Sequence, residues 1–184
     1  MSSAIQTLFH KYTELLLKWN KVYNLTAITD PNEIATKHFE DSLRLIDYIP
    51  SRGRMLDVGT GAGFPGIPVA ISLADLEVTL LDRRDKKILF CEEVIRALNL
   101  KNVRAVSSSL ENFDISIFDV VVSRATFKAK EFFDLVIPHL KPGAKAILMK
   151  GPDWKKETEG LSTPFQVFEY RLSDGSQRAL LQVG

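Results

Sequence analysis

A glycine-rich segment flanked by acidic residues is the part of this chain whose residue types and spacing point most directly to chemistry. The apolar stretch 54–58 contains Asp57 and is followed at once by glycines at positions 59, 61, 63 and 66. Glycine lets the backbone approach a ligand closely and adopts the dihedral angles that a tight strand-to-helix reversal needs. A second apolar stretch, 77–82, ends in Asp82, whose carboxylate can accept hydrogen bonds from ribose hydroxyls. The pattern predicts a site for a cofactor that contains a nucleoside.

Two cofactor classes fit this spacing. Gly61, Gly63 and Gly66 satisfy the G-x-G-x-x-G pattern of dinucleotide-binding folds, whereas the order acidic-x-G-x-G-x-G from Asp57 resembles the first motif of S-adenosylmethionine-dependent methyltransferases. Asp57 would repel a nearby diphosphate, and Pro65 removes a backbone N–H where a helix would hold it. These features favour S-adenosylmethionine over NAD. A turn that serves packing alone is the third alternative.

Composition limits the other possibilities. The chain has 184 residues, enough for one domain with a substantial core, and 24 basic against 23 acidic residues, so any RNA site must be a local patch. No apolar stretch approaches the roughly 20 residues that cross a bilayer, which predicts no membrane span. Cys91 is the single cysteine; it excludes an internal disulfide and a multi-cysteine metal site, and it suits the reducing cytoplasm.

The glycine segment lies within an alternation of strands and helices. The apolar stripe of residues 3–22 predicts an amphipathic helix, and helix starts near residues 30 and 40 make the part before residue 52 helical. Beyond it we predict strands at 54–58, 77–82, 103–106, 118–123 and 143–149 and helices at 66–73, 84–98, 128–139 and 153–159, then a hairpin from 165–172 and 178–183. The fold class is therefore α/β, a class I methyltransferase (Rossmann-like) sheet with a C-terminal antiparallel hairpin. The predicted domains are an N-terminal helical extension, 1–51, and a methyltransferase domain, 52–184.

The chain also resembles one family nearly end to end. The specific segments are Trp19-Asn20, Asn24-Leu25-Thr26, His38 with Asp41-Ser42, and Ser123-Arg124-Ala125. They resemble the bacterial 16S ribosomal RNA guanine-N7 methyltransferases, also called the glucose-inhibited division protein B family. The resemblance implies S-adenosylmethionine as cofactor, a guanosine in the 530 loop as target, and 16S rRNA within the 30S subunit or an assembly intermediate as partner of a cytoplasmic monomer. A methyltransferase for another RNA or a small molecule, or a non-catalytic binding module, is the alternative.

Site residues follow from the motif and from the resemblance. The glycine motif contributes Asp57, Gly61 and Gly63 to the cofactor site. By resemblance, Gly59 and Phe64 lie against the cofactor, Asp82 on its ribose, Leu110 and Glu111 beside its adenine, and Arg124 near the methyl donor and the RNA. Ligands bind at the carboxyl ends of strands in an open α/β sheet, so further candidates for phosphate contacts are the three basic residues that follow such ends or lie near them, Lys86, Lys150 and Arg178.

The chemistry implied by the resemblance needs little from side chains. Guanine N7 carries a free lone pair, so no proton has to leave when the methyl group arrives, and positioning can supply much of the rate. We therefore predict no catalytic base and no metal, with Arg124 as the positioning residue. A structural salt bridge is the alternative role for Arg124, and a structural role is the more common one for a lone histidine such as His38. Cys91 falls in the middle of a helix, where it is expected to pack as a small apolar residue.

Overall fold

A seven-stranded mixed sheet forms the centre of the computed structural model, which describes residues 3–184. Its strands are β1 (Gly53–Val58), β2 (Leu76–Asp82), β3 (Val103–Ser107), β4 (Val120–Arg124), β5 (Lys145–Lys150), β6 (Gln166–Arg171) and β7 (Gln177–Val183). The order across the sheet is β3-β2-β1-β4-β5-β7-β6, with β1 to β5 parallel and β7 antiparallel to both its neighbours. This is the predicted α/β class with its C-terminal antiparallel hairpin.

Within residues 3–184, six helical segments pack on the sheet. They are α1 (Ser3–Tyr23), α2 (31–48), α3 (Gly66–Ser72), α4 (Asp85–Leu98), α5 (Ala129–Val136) and α6 (Trp154–Glu157), with single 3₁₀ turns at Leu110–Asn112 and Ile137–His139. Strand and helix positions from β1 onward agree with the sequence prediction to within about two residues, apart from the end of the helix predicted at 128–139. The predicted helix 128–139 changes to a 3₁₀ turn at Ile137–His139, where Pro138 lacks the N–H that an α-helix would use.

The N-terminal region differs from the prediction that everything before residue 52 is helical. Residues 24–30 are not helical, because Asn24 takes a positive φ of 49° and ends α1. Asp30 then caps α2 by accepting hydrogen bonds from the next turn. The helix start predicted near residue 40 is wrong, since α2 runs through it as a π-helical stretch, Ala35–Glu40, followed by the α-helical turn Asp41–Leu43. Asp41 is buried and bonded to distant side chains, so it does not cap a helix.

Alternate residues of the strands point into two apolar layers. On one face, Met55, Val78 and Leu80 pack with residues of α1 to α4, including Tyr12 and Leu45. On the other face, β1 and β2 residues such as Leu56 and Leu81 pack with the aromatic residues of α5. The N-terminal helices therefore share a core with the sheet, and the proposed division at residue 51 stays a prediction. Within residues 3–184 no helix is long and apolar enough to cross a membrane.

Candidate functional site

The turn after β1 is held against β2 by its own backbone. Gly59, Gly61 and Gly63 all have positive φ angles, of 68°, 59° and 90°, a region that favours glycine. The N–H groups of Gly59 and Thr60 both donate to the carbonyl oxygen of Leu81, at 2.7 and 3.0 Å. The turn therefore lies at the carboxyl ends of two adjacent strands, where the sequence predicted it.

Asp57 braces this turn from beneath. Its side chain is fully buried, and Oδ2 accepts hydrogen bonds from the Thr60 hydroxyl at 2.7 Å and from the Gly66 N–H at 2.8 Å. Burial raises the pKa of Asp57 to about 6 against these two hydrogen bonds. Oδ1 has no hydrogen-bond partner among the described residues. A buried acceptor without a partner suits a site that receives a hydrogen-bond donor or a cation.

The glycines of the turn differ in what surrounds them. A methyl group added at Gly61 would meet nothing closer than the Gly59 carbonyl oxygen, at 3.9 Å. One added at Gly63 would lie 2.5 Å from Cδ1 of Ile67 and 2.6 Å from the Tyr12 hydroxyl. Gly61 thus faces open space that a ligand can use, whereas Gly63 is required for packing against α1 and α3. The assignment of Gly63 to the cofactor stays a prediction.

Asp82 ends β2 with its hydrogen-bonding capacity fully used. Oδ2 accepts from the N–H of Gly61 at 3.0 Å and from a terminal guanidinium nitrogen of Arg84 at 2.9 Å; Oδ1 accepts from the N–H and the Nε of Arg84, at 3.0 and 2.9 Å. Burial would raise the pKa of Asp82, but these hydrogen bonds outweigh it and lower the pKa. A carboxylate offers about four acceptor positions. A ribose hydroxyl can therefore bind Asp82 only where a present donor leaves, and the half-exposed Arg84 side chain is the donor with space to leave toward solvent.

A cleft of about 280 Å³ opens beside Asp82. It is lined by several predicted cofactor residues, namely Gly59, Asp82, Leu110 and Glu111, together with Ser109, Thr126 and Phe127. Leu110 supplies an apolar wall and Glu111 an exposed carboxylate, a combination that suits an aromatic base bearing an amino group. Asp57, Gly61, Gly63, Phe64 and Arg124 are not part of this lining. The cleft therefore brings together the ribose and adenine candidates, while the others lie behind or beside it.

Arg124 points away from the cleft and into a buried polar cluster. One terminal nitrogen donates to the Lys37 carbonyl oxygen at 3.0 Å and to Oδ2 of Asp41 at 3.1 Å, and the other donates to Nδ1 of His38 at 3.0 Å. The guanidinium carbon also lies 5.2 Å from the centre of the Phe64 ring. The structure thus shows the salt bridge that was the alternative role for Arg124. Its contact with RNA stays a prediction.

His38 is held as a neutral ring by the same cluster. Because Arg124 can only donate, Nδ1 must be the acceptor, so the proton lies on Nε2 and is donated to the Thr26 hydroxyl 2.9 Å away. The ring stacks on Phe64 with centroids 4.3 Å apart. Burial, and then the Arg124 charge, lower the pKa of His38 from 6.5 to about 3. The structural role expected for this histidine is confirmed.

Because His38 is buried as a neutral ring, acidification is expected to lower the free energy of unfolding. Between pH 6.5 and about 3 the unfolded chain binds a proton at this ring that the folded chain does not, so the free energy of unfolding falls as the pH falls. At about 1.4 kcal/mol per pH unit, the loss from pH 6.5 to 5 approaches about 2 kcal/mol. The raised pKa of Asp57 acts in the opposite direction but is common to wild type and variants.

Urea unfolding at pH 7, 6 and 5 tests this expectation with His38→Gln against His10→Gln. His10 lies on the exposed side of α1 with its side chain 78% exposed. The His10 variant should keep the wild-type dependence on pH, whereas the His38 variant should lose part of it. Identical slopes for the two variants would contradict a neutral, buried His38.

The basic candidates for RNA contact are not equivalent. Lys86 is exposed on α4, and Arg178 is partly exposed at the start of β7. Lys150 is turned inward, where its ammonium group pairs with Glu157 and donates to the Phe127 carbonyl oxygen. Contact of Lys150 with a phosphate would require this pair to open, so that role stays a prediction without geometric support.

Two residues at this edge were missed by the sequence analysis. Arg84 lies in the basic segment 83–87. Its position two residues after Asp82 was the available signal for the ion pair. Tyr170, whose hydroxyl donates to Oδ1 of Asp41 at 2.7 Å, had no local signal because 129 residues separate the pair.

Cys91 is buried as expected, with its thiol 3.6 Å from the Gly61 carbonyl oxygen. Residues 3–184 contain no cluster of acidic, histidine or cysteine side chains that would hold a metal ion.

Several solved structures with a similar fold are methyltransferases. A SAM-dependent methyltransferase from Aquifex aeolicus superposes with a TM-score of 0.65 at 19% identity, over 91% of this chain and 97% of that one. TYW2 from M. jannaschii, solved in complex with AdoMet, superposes with a TM-score of 0.57 at 15% identity, over 79% of this chain and 74% of that one. At these identities the likeness concerns the fold alone.

Sequence relatives are closer. Ribosomal RNA small subunit methyltransferase G of Desulforamulus reducens is 43% identical over 88% of this chain and 71% of its own length. The protein of the same name from Acinetobacter baumannii is 41% identical over 99% of this chain and 90% of its own length, and that from Oenococcus oeni is 35% identical over 100% and 82%. The family model GidB, rRNA small subunit methyltransferase G, matches residues 5–174. This chain therefore belongs to the GidB family of small-subunit ribosomal RNA methyltransferases.

Proposed function

We propose that this chain transfers a methyl group from S-adenosylmethionine to N7 of a guanosine in the 530 loop of 16S rRNA. Family membership gives methylation of small-subunit rRNA with S-adenosylmethionine as donor, and it sets aside the NAD alternative left open by the glycine spacing. The atom and the loop are the proposed part. We further propose the cytoplasm as the place of action, on the ground that small ribosomal subunits are the substrate.

The observation that supports N7 as the target is that four titratable groups packed around the turn are buried, and two of them already have all their hydrogen-bonding positions in use. His38 is neutral with both ring nitrogens hydrogen-bonded, Asp82 has four donors, and burial raises the pKa of Cys91. Asp57 is buried beneath the turn. None of these four is arranged to take a proton from a nucleotide. An acceptor that already carries a free lone pair, as guanine N7 does, needs no such group.

The contribution of the protein is binding and alignment. When bound, S-adenosylmethionine supplies an electrophilic methyl group on a sulfonium centre. The open side of Gly61 allows the backbone to approach a ligand, Asp82 can bind ribose hydroxyls once Arg84 moves, and Leu110 with Glu111 can enclose a purine. Holding two reactants in line and excluding water can supply a large part of the rate enhancement.

Transfer of labelled methyl groups tests the substrate. The acceptors are 30S subunits that lack the modification, naked 16S rRNA, and a mixture of small metabolites. We expect label in 16S rRNA, and a loss of that label with Asp82→Asn at limiting cofactor. Label confined to metabolites or to another RNA would support the alternative methyltransferase function, and cofactor binding without transfer to any acceptor would support a binding module.

Two glycine substitutions should separate binding from folding. Gly61→Ala adds a methyl group into open space, so it should lower the free energy of unfolding only by the roughly 1–2 kcal/mol of a left-handed residue, while weakening S-adenosylmethionine binding at least about tenfold. Gly63→Ala adds overlap with Ile67 and Tyr12, for a total of about 2–5 kcal/mol. Urea unfolding and calorimetric binding measure both quantities. A greater loss of stability in the Gly61 variant than in the Gly63 variant would contradict this division of roles.

A further inference from the structure

A second cleft, of about 260 Å³, lies at the same edge of the sheet. It is lined by residues that follow β5, end β6 and begin β7, namely Pro152, Trp154, Lys155, Tyr170, Arg171 and Arg178, with Glu169 and Gln177. Register explains the gathering: Ala179 pairs with Lys150 at the end of β5, and Arg178 pairs with Tyr170. This Trp154 cleft shares no lining residue with the cleft beside Asp82.

Trp154 presents an oriented aromatic surface to the cleft. The indole N–H donates to Oε1 of Glu169 at 3.2 Å, which fixes the direction of the ring. The ring is partly exposed and packs against the second apolar layer, and the ammonium nitrogen of the exposed Lys155 lies over it, 5.4 Å from its centre. A base that stacks on Trp154 would take the place of this ammonium group. An aromatic side chain beside cations is the arrangement on which proteins stack unpaired bases of single-stranded nucleic acid.

Two arginines border the ring and keep hydrogen-bonding capacity. Arg171 donates from one terminal nitrogen to the Gly175 carbonyl oxygen at 3.2 Å, and Arg178 donates to the Gln177 carbonyl oxygen at 2.8 Å. The Nε of Arg178 lies 3.8 Å from Oδ1 of Asp41, too far for a strong hydrogen bond. A guanidinium has five N–H donors and suits a phosphate geometrically. With Lys155, the cleft carries three cations against the single carboxylate of Glu169.

The Trp154 cleft is connected to the end of β4 by hydrogen bonds. Tyr170 donates to Asp41 at 2.7 Å, and Asp41 accepts from Arg124, the last residue of β4, at 3.1 Å. β4 and β1 are adjacent, and β1 leads into the glycine turn. The Trp154 cleft and the glycine turn therefore lie at the same edge of the sheet, the edge at which ligands bind in open α/β sheets.

We infer that the Trp154 cleft binds one unpaired nucleotide of the RNA substrate next to the methylated one. Its base stacks on Trp154, its phosphate is held by Arg171 and Arg178, and Glu169 accepts from N–H groups on the edge of the base. The volume lies just below the roughly 300–1,000 Å³ of pockets for drug-sized ligands, which suits a single nucleotide. This inference rests on the proposed RNA substrate and adds the contact that distinguishes RNA from a small acceptor.

Tryptophan fluorescence tests the stacking directly. The chain has two tryptophans, so Trp19→Phe leaves Trp154 as the single source of tryptophan emission. Trp19 is not part of the cleft lining, so this substitution leaves the cleft unchanged. Titration with a single-stranded RNA oligonucleotide of the 530-loop sequence should quench this emission, because a stacked base is in contact with the ring. An unchanged emission at RNA concentrations that saturate binding would overturn the inference.

Affinity measurements supply the second readout. Stacking contributes about 1–3 kcal/mol per base, so Trp154→Leu should weaken binding of the oligonucleotide by about 5- to 150-fold, whereas Trp154→Phe should retain most of the affinity. Binding of S-adenosylmethionine should be the same in all three proteins, which shows that they are folded. Arg171→Gln should also reduce the dependence of log affinity on log salt concentration, by about 0.7 for one phosphate.

Failure of the proposed RNA methylation and failure of the Trp154 cleft as a nucleotide site give different results. If wild-type protein neither binds nor methylates 16S rRNA, the proposed function is wrong. If the wild type binds and methylates the RNA, and Trp154→Leu does so with unchanged affinity, the RNA substrate stands and the Trp154 cleft is wrong as a nucleotide site.

Discussion

Replacing Asp82 by asparagine is expected to weaken S-adenosylmethionine binding by about 10- to 100-fold. The side chain is only 3% exposed and lies at the end of β2 beside the 280 Å³ cleft, where ribose hydroxyls would donate to it. A hydrogen bond to a charged group contributes about 1.5–3 kcal/mol. The amide of asparagine carries no charge and turns one acceptor into a donor, so most of that contribution is lost.

Replacing Arg84, the ion-pair partner of Asp82, should instead strengthen S-adenosylmethionine binding. Arg84 occupies both carboxylate oxygens of Asp82, so the cofactor has to displace its guanidinium before a ribose hydroxyl can bind. Arg84→Met retains the aliphatic part of the side chain and removes this competition. Asp82 is buried, but the Arg84 side chain is 56% exposed, so water screens the pair and its contribution is close to the roughly 0.2–1 kcal/mol of a surface pair. Binding should therefore tighten by no more than about fivefold.

Isothermal titration calorimetry of the two variants measures both effects. Arg96→Met is the matched control, since Arg96 also forms a partly exposed pair, with Glu93, on α4, the helix that begins directly after Arg84. The control should bind as the wild type does. Weaker binding by Arg84→Met would contradict the competition and would make Arg84 a direct ligand of the cofactor.

The second large effect is expected at Arg124. Arg124→Ala should lower the free energy of unfolding by about 3–5 kcal/mol, because it removes one partner of a buried ion pair and leaves Asp41 with its charge in the interior. His38 loses its donor at the same time. Natural domains have about 5–15 kcal/mol of stability in total, so this single change is severe.

A double variant distinguishes the ion pair from a loss of packing. Arg124→Met with Asp41→Asn removes both charges and keeps most of the volume, so it should recover part of the stability that Arg124→Ala loses. The exposed pair of Arg96 and Glu93 again gives the control, for which about 0–1 kcal/mol is expected. A cost near 1 kcal/mol for Arg124→Ala would mean that its guanidinium is not held as the structure shows. It would then be free for the RNA contact that the sequence resemblance implies.

The glycine turn and both aspartates could be predicted because their signal is local. Asp57, the glycines and Asp82 belong to one strand-turn-helix-strand unit, in which each residue type is dictated by backbone geometry a few positions away. The parallel strands were predictable for the same reason, since buried strands are continuous apolar runs. Within this unit the ion pair of Asp82 with Arg84 was not predicted, and neither were the hydrogen bonds by which Asp57 supports the turn.

The polar cluster around Asp41 could not be predicted from local sequence. Glu40, Asp41 and Ser42 have the composition of a helix start, yet α2 continues through them because Asp41 finds Arg124 and Tyr170 as partners, 83 and 129 residues away. Long-range pairing also explains Lys150, whose strand-end position suggested a phosphate contact but whose ammonium group is directed to Glu157. Tertiary contacts determine which partners such polar residues bind, and local sequence propensity does not.

Mapping the methylated atom in 16S rRNA tests directly whether the protein methylates N7 of a guanosine in the 530 loop. 30S subunits that lack the modification are incubated with the protein and S-adenosylmethionine, and the extracted 16S rRNA is treated with the reduction and aniline chemistry that cleaves the strand at N7-methylguanosine. We expect one new cleavage, in the 530 loop, that disappears when the protein or the cofactor is omitted. Methyl groups that enter 16S rRNA without making it cleavable, or a cleavage elsewhere in the molecule, would contradict it.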